Sequence, residues 1–286
     1  GFAGSFAVVD VKNGKIDWDI PEGGTYDLQG QMNLPIKPPV PMQTVNKEWE
    51  FQDSNWYSHL PASAQLMERM YEEARGDSVD GVITINATVL KRLLKVVGPI
   101  KNNKIDGELN SQNVLSKLQY KVERGYEDKK KPKAILSNLS NQIMKRLENI
   151  EKLDLLKLVV QGHKALENKE IQVYMDDQHA QETFRSFAWT GEILSPNDQQ
   201  DYLHLVHSNF QGQKSNASIE EDIVLDTKIR KDGSVVNKLS IIREHTGDPD
   251  TEFYGGKNIS HIKTYVPKGA KLLEAKGFEY PPESLF

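Results

Sequence analysis

Phe51-Gln52-Asp53-Ser54-Asn55-Trp56 is the stretch of this 286-residue chain whose side chains are best suited to chemistry. It sets amide, carboxylate and hydroxyl groups beside one large aromatic ring, a mixture that suits ligand binding on a loop carried by a rigid scaffold. Asp53 can hold a divalent cation that bridges to phosphate, and Asn55 can add a further oxygen. The competing structural reading makes Asp53 and Ser54 turn-capping residues and Trp56 a core residue. A second candidate is Gly1-Phe2-Ala3-Gly4-Ser5. Its small residues allow a ligand to approach the backbone closely, or alternatively allow tight packing. Gly4, Ser5, Asp53, Asn55 and Trp56 are therefore the expected ligand contacts, and Asp53 the expected metal ligand. Arg69, Arg75 and Arg92 are a third group, because an arginine fork is the usual partner of a diphosphate. Spacing sets Arg92 off the apolar face of its helix, toward solvent.

Other chemistry is missing. The chain has no cysteine, which removes disulfides, thiolate zinc sites and cysteine nucleophiles. It lacks a phosphate-binding loop, a Gly-x-Gly-x-x-Gly turn, a His-Glu-x-x-His helix and a Gly-x-Ser-x-Gly elbow. The seven histidines are scattered. His204 and His207, three apart on an expected strand, point to opposite faces, which argues against a shared metal. The formal net charge of -5 argues against a nucleic-acid binder. No run reaches the roughly 18 apolar residues of a membrane span. The chain opens at Gly1 and enters the apolar run Phe6-Ala7-Val8-Val9 almost at once, so the expectation is that upstream residues have been removed.

The elements that position the candidates follow from periodicity. Phe6–Val11 and Lys15–Trp18, joined by Asn13-Gly14, predict a β-hairpin. Residues 21–46, with Pro21, Pro35, Pro38, Pro39 and Pro41, predict a long loop. Leu66, Met67, Met70, Tyr71 and Ala74 predict a helix over 61–74, stopped by Gly76. Val79–Ile85 predicts a buried strand, Asn86 a helix cap, and Val89, Leu90, Leu93, Leu94 and Val97 a helix ended by Gly98-Pro99. Together these make one strand-to-helix unit of an α/β sheet. Helices are expected over 111–124, 133–149 and 152–168, with the charge run Lys129–Lys133 a solvated loop. Then come a strand over 171–175, a helix over 178–187 and a strand over 202–206. After Gln213 the helical period disappears. Strands at 218–230, 235–243, 258–266 and 270–275 predict a small β-sandwich-like domain, cut short at Phe286. The expected organisation is an α/β domain over 1–213, with a mixed central sheet flanked by helices, and a β-rich domain over 214–286.

Gly1–Val9, Asn13-Gly14-Lys15-Ile16, Asp53–Trp56, Pro61, Val79–Asn86 and Leu93–Ile100 resemble an uncharacterised bacterial family, a domain of unknown function in envelope proteins with an N-terminal membrane anchor. Tyr202-Leu203, Asn209-Phe210 and Tyr265–Gly269 also fit its pattern. The central stretch is more distantly similar to the LytR–CpsA–Psr phosphotransferases, which move glycopolymers from a polyprenyl-diphosphate carrier to peptidoglycan with Arg, Asp and magnesium. The resemblance implies a LytR–CpsA–Psr-like fold and an extracytoplasmic protein at the cell surface, attached to the membrane only through an anchor absent from this chain. Its implied partners are an envelope glycan, a polyprenyl-diphosphate lipid or a surface protein. Three functions stand open: a non-catalytic binding module, a magnesium-dependent phosphotransferase, and a structural surface or adhesion component. Two positions depart from the pattern. Gln52-Asp53 stands where family members often carry Arg-Asp, and Gly98-Pro99 where the transferases have two glycines. Fewer arginines are then left to neutralise a diphosphate.

Overall fold

A computed structural model of the chain describes residues 3–32, 35–102, 105, 107–124, 134–193, 200–210 and 214–279. Gly1 and Phe2, the charge run Lys129–Lys133 and the terminal Phe286 lie outside the described residues. The chain divides into two compact units, one of Gly1–Pro38 with Asn46–Leu194, the other of Pro39–Val45 with Ser195–Phe286. The fold is mixed α/β, and its sheets are small and antiparallel.

In the first unit, β1 (Val8–Lys12) and β2 (Lys15–Asp19) form the expected hairpin. Asn13 and Gly14 both have positive φ, 51° and 76°, as the two-residue turn that matches strand twist requires. The Pro-rich stretch is not loop throughout, since it contains the short helix α1 (Thr25–Gln29), whose Thr25 and Leu28 are fully buried. Helix α2 (Leu60–Arg75) begins with Pro61 in its first turn, where a missing N–H costs nothing. It buries Leu60, Ala64, Met67 and Met70 at helical spacing.

Strand β3 (Gly81–Ile85) leads through Asn86 into α3 (Thr88–Val97). The Asn86 Oδ1 accepts from Thr88 N–H at 3.1 Å, so the capping role holds. Then come the short strands β4 (Ile100–Lys101) and β5 (Glu108–Leu109), the helices α4 (Val114–Arg124), α5 (Ala134–Glu148) and α6 (Lys152–Glu167), strand β6 (Ile171–Met175) and helix α7 (Gln178–Ser186). Strand β6 returns antiparallel to β3, pairing Gly81 with Met175 and Ile85 with Ile171. Gly81 is required there, because a Cβ would sit 2.3 Å from the Tyr174 carbonyl oxygen.

The expected mixed central sheet does not form: among the described residues every sheet is a two-stranded antiparallel pair. The physical reason lies between β3 and β6. Leu94, Leu118, Ile135, Leu139 and Ile143 from α3, α4 and α5 bury one another, with Ile100 and Leu109 from β4 and β5. These helices build their own core instead of covering a wider sheet. The β3–β6 pair has cover of its own, since Leu60 and Ala64 of α2 pack on Tyr174 and Val82.

In the second unit, β7 (His204–Asn209) pairs with β10 (Ser260–Tyr265), and β8 (Ile219–Ile229) pairs with β9 (Val235–His245). The expected strand at 270–275 is absent. Leu272 and Leu273 are adjacent, so a strand would send them to opposite faces. They are instead 83% and 76% exposed.

Candidate functional site

The chain start and the 51–56 segment meet. Ala3 N–H donates to the Gln52 carbonyl at 2.9 Å. The Phe6 ring lies 6.0 Å from Phe51 and 6.1 Å from Tyr71. Gly4 is therefore held, half-buried, beside the segment that carries Asp53, while Ser5 is exposed. The meeting point is not the end of a sheet, because the β1–β2 hairpin starts only at Val8.

Phe51–Trp56 is a 3-10 turn, not a loop. Its Phe51 N–H is anchored on the Gln29 side chain at 2.9 Å, which ties it to α1. Within the turn Phe51, Gln52 and Ser54 are buried, and Asp53, Asn55 and Trp56 are half-buried. Ser54 is fully sealed. Its hydroxyl has no hydrogen-bond partner, so it does not cap the turn as considered, and it presents nothing to a ligand. Asp53 keeps access to solvent. Its Oδ2 accepts from Asn46 Nδ2 at 3.0 Å, and its backbone carbonyl accepts from the Trp49 indole at 3.1 Å. Partial burial raises the Asp53 carboxyl above its ordinary range, against the lowering effect of the Asn46 bond. Glu50 is raised as well, first by burial and then by the charge of Asp53. Two carboxylates thus crowd one turn, and each favours a proton, a hydroxyl donor or a cation nearby.

Asn46, Trp49 and Tyr57 belong to the same constellation and were missed from the sequence. Trp49 packs on Tyr57 with ring centres 5.9 Å apart, and the Ser63 hydroxyl of α2 bonds both the N–H and the carbonyl of Tyr57. The spacing of Trp49 and Asp53, four apart, was the available signal, but residues up to 46 read as Pro-rich loop. Asp53 with Asn46 does not by itself make a metal shell. Among the described residues no group of three or more His, Asp and Glu side chains is placed to hold a metal ion.

The arginines are elsewhere. Arg92 is not solvent-directed as expected. Its guanidinium grips Glu170 at 2.5 and 2.7 Å and bonds Gln161 at 3.2 Å. Arg69 and Arg75 are exposed on α2. His204 stacks on Tyr202 and meets the Tyr265 ring at a tilt, and His207 lies 3.2 Å from the Glu221 carboxylate.

A second polar cluster also escaped the sequence reading. Glu68 of α2 is buried with Oε1 unpartnered, and the Tyr174 hydroxyl accepts from Gln65 at 3.1 Å. Burial first, then the charges of Asp176 and Glu72, push the Glu68 carboxyl up to about 7.

Residues 1–122 match the model of DUF4012, a family of proteins of unknown function. No curated protein and no solved structure matches the chain. The DUF4012 segment contains the whole Gly4–Tyr57 constellation, helix α2 and the β3–α3 unit. It ends inside α4, so β6, which completes the sheet with β3, lies beyond it.

Proposed function

We propose that this chain is an extracytoplasmic cell-envelope protein whose first unit binds a glycan at the corner formed by Gly4, Ser5 and residues 46–57. The observation that carries the reading is the Ala3–Gln52 bond, which holds the chain start against the anchored 51–56 turn, where the half-buried Asp53 carboxylate bonds the Asn46 amide and the buried Trp49 indole backs it, with Trp56 half-buried and Tyr57 exposed. Aromatic faces with amides and carboxylates around them match the CH faces and hydroxyl donors of a sugar. Residues 46–57 hold Glu48, Glu50 and Asp53 against Lys47 and no arginine. Such a site repels a diphosphate unless a cation intervenes, which favours a neutral glycan over a polyprenyl-diphosphate. The phosphotransferase reading keeps one support, the β3–α3 unit with Gly98 at its end. In the second unit, bonds from His207 to Glu221 and from Asn237 to Asp201 tie the β8–β9 pair to β7 and the residues just before it, which supports a sandwich-like arrangement.

The test is a titration followed by tryptophan fluorescence. A soluble β-1,4-linked N-acetylglucosamine oligomer forms one arm. Farnesyl diphosphate with magnesium forms the other. Saturable binding is expected in the glycan arm, lost in Tyr57→Ala, whose ring is 41% exposed, and weakened at least tenfold in Asp53→Asn. Binding only of the diphosphate with magnesium, abolished in Asp53→Asn, favours the transferase.

A further inference from the structure

Strands β8 and β9 make an unusually long ribbon. Eleven residue pairs run in unbroken one-to-one register from Ile219–His245 to Ile229–Val235, about 36 Å at strand rise. Strand β8 contains no proline, no glycine and no bulge. Proline, bulges and charged side chains are the devices that normally blunt a free strand edge, and of these β8 carries only charge, at Glu220, Glu221, Asp222, Asp226 and Lys228. Arg230 N–H donates to the Ser234 carbonyl, and Thr246 N–H to the Ser218 carbonyl. The alternation of an antiparallel ladder then turns even-numbered β8 residues toward β9 and leaves the backbone groups of Ile219, Glu221, Ile223, Leu225, Thr227 and Ile229 pointing outward. On the other side of the ribbon, the end of β9 is held by the 256–258 segment. His245 meets the Gly256 carbonyl at 3.1 Å, and Arg243 donates to Asn258 at 3.3 Å.

About Val224, the order of residues in β8, Ile-Glu-Glu-Asp-Ile-Val-Leu-Asp-Thr-Lys-Ile, is symmetric at its aliphatic positions and at Asp222 and Asp226, while Glu220 mirrors Lys228 and Glu221 mirrors Thr227. Two β8 edges laid antiparallel across a two-fold axis at Val224 oppose Ile219 with Ile229, Ile223 with Leu225, and Glu220 with Lys228. The outward-pointing residues then become the hydrogen-bonded pairs of the new ladder, as that register requires. The Asp222–Asp226 opposition is unfavourable and also occurs twice. Asp226 already faces Lys238 across its own hairpin, which offsets part of it.

We infer that β8 is a homodimerisation edge: a second copy of this chain adds its own β8 antiparallel about Val224, giving a four-stranded sheet in the order β9-β8-β8-β9. Self-complementarity of this kind is what a two-fold interface demands. Main-chain bonds supply the affinity, and the Glu220–Lys228 pairs, present twice by symmetry, set the register. This inference does not rest on the glycan reading, and neither fails with the other.

The chain has no cysteine, which makes the test direct. Val224→Cys puts two thiols at a non-hydrogen-bonded position on the axis, where Cα atoms approach to about 4.5 Å and a disulfide closes. Oxidised Val224→Cys is expected to run as a covalent dimer, and Ser240→Cys, at the corresponding place on β9, as a monomer. Light scattering on the unmodified chain gives the dimer mass. Glu220→Lys and Lys228→Glu each set like charges opposite and weaken the dimer roughly tenfold. Mixing the two variants, or combining both changes in one chain, restores it. Circular dichroism checks that each variant stays folded. A monomer at every concentration, a cross-link through Ser240→Cys in place of Val224→Cys, or charge variants that dimerise as well alone as mixed would each overturn the inference.

Discussion

The β3–β6 pair and the β8–β9 ribbon are both two-stranded antiparallel sheets, yet they are held in opposite ways. The shorter pair is covered. Tyr174 and Val82 pack under Leu60 and Ala64, and Val173 is buried. The ribbon is twice as long and much barer, with Val224 48%, Ile229 77% and Ile242 61% exposed. An isolated two-stranded hairpin is marginal in water, and length alone does not correct that, because what stabilises a sheet is burial of a face or pairing of an edge. The first unit solves the problem with helices, and the second leaves an edge suited to another chain.

Substitutions in the two sheets should have unequal effects. Tyr174→Ala removes the ring between α2 and the sheet together with the Gln65 bond, and it is expected to cost about 3 kcal/mol in denaturant unfolding of the first unit. Glu68→Gln sits beneath the same sheet and acts through pH. Burial favours the neutral acid, so the folded chain holds this proton more tightly than the unfolded one. Stability therefore declines as pH rises from the usual carboxyl range of 4.5 toward about 7. The amide should raise stability above pH 7 by about 2 kcal/mol and leave it unchanged near pH 4, a difference that melting curves at the two pH values resolve. Val173→Ala and Val224→Ala delete the same two methyl groups from the covered and the bare sheet. The first is expected to cost about 2 kcal/mol. The second should change unfolding of the chain by less than about 0.5 kcal/mol while weakening self-association. Equal costs at the two valines would abolish the distinction.

Local elements were legible in the sequence because their signals are local. Asn13-Gly14 predicts its hairpin through two positive φ angles, Asn86 its cap, and the spacing of Leu66, Met67 and Met70 the buried face of α2. What could not be read is pairing between distant segments. Strand β3 looks like the start of a mixed central sheet until β6 is seen to return to it, antiparallel and alone, after four helices. The Pro-rich stretch hides α1 because Thr25 and Leu28 are buried by tertiary packing that no local pattern encodes. At the candidate site, Asp53 and the small residues at the chain start were visible as residue types. The Ala3–Gln52 bond joins segments 49 residues apart and is invisible to periodicity. Asn46 and Trp49 were missed for the same reason.

The glycan corner is the central functional claim. Hydrogen–deuterium exchange across the whole chain, with and without a soluble β-1,4-linked N-acetylglucosamine oligomer, decides whether the corner is occupied. Slowed exchange is expected only within residues 3–6 and 46–57, with β8 unchanged by the glycan. Protection that avoids 46–57, or no protection at glycan concentrations that saturate other binding modules, contradicts it.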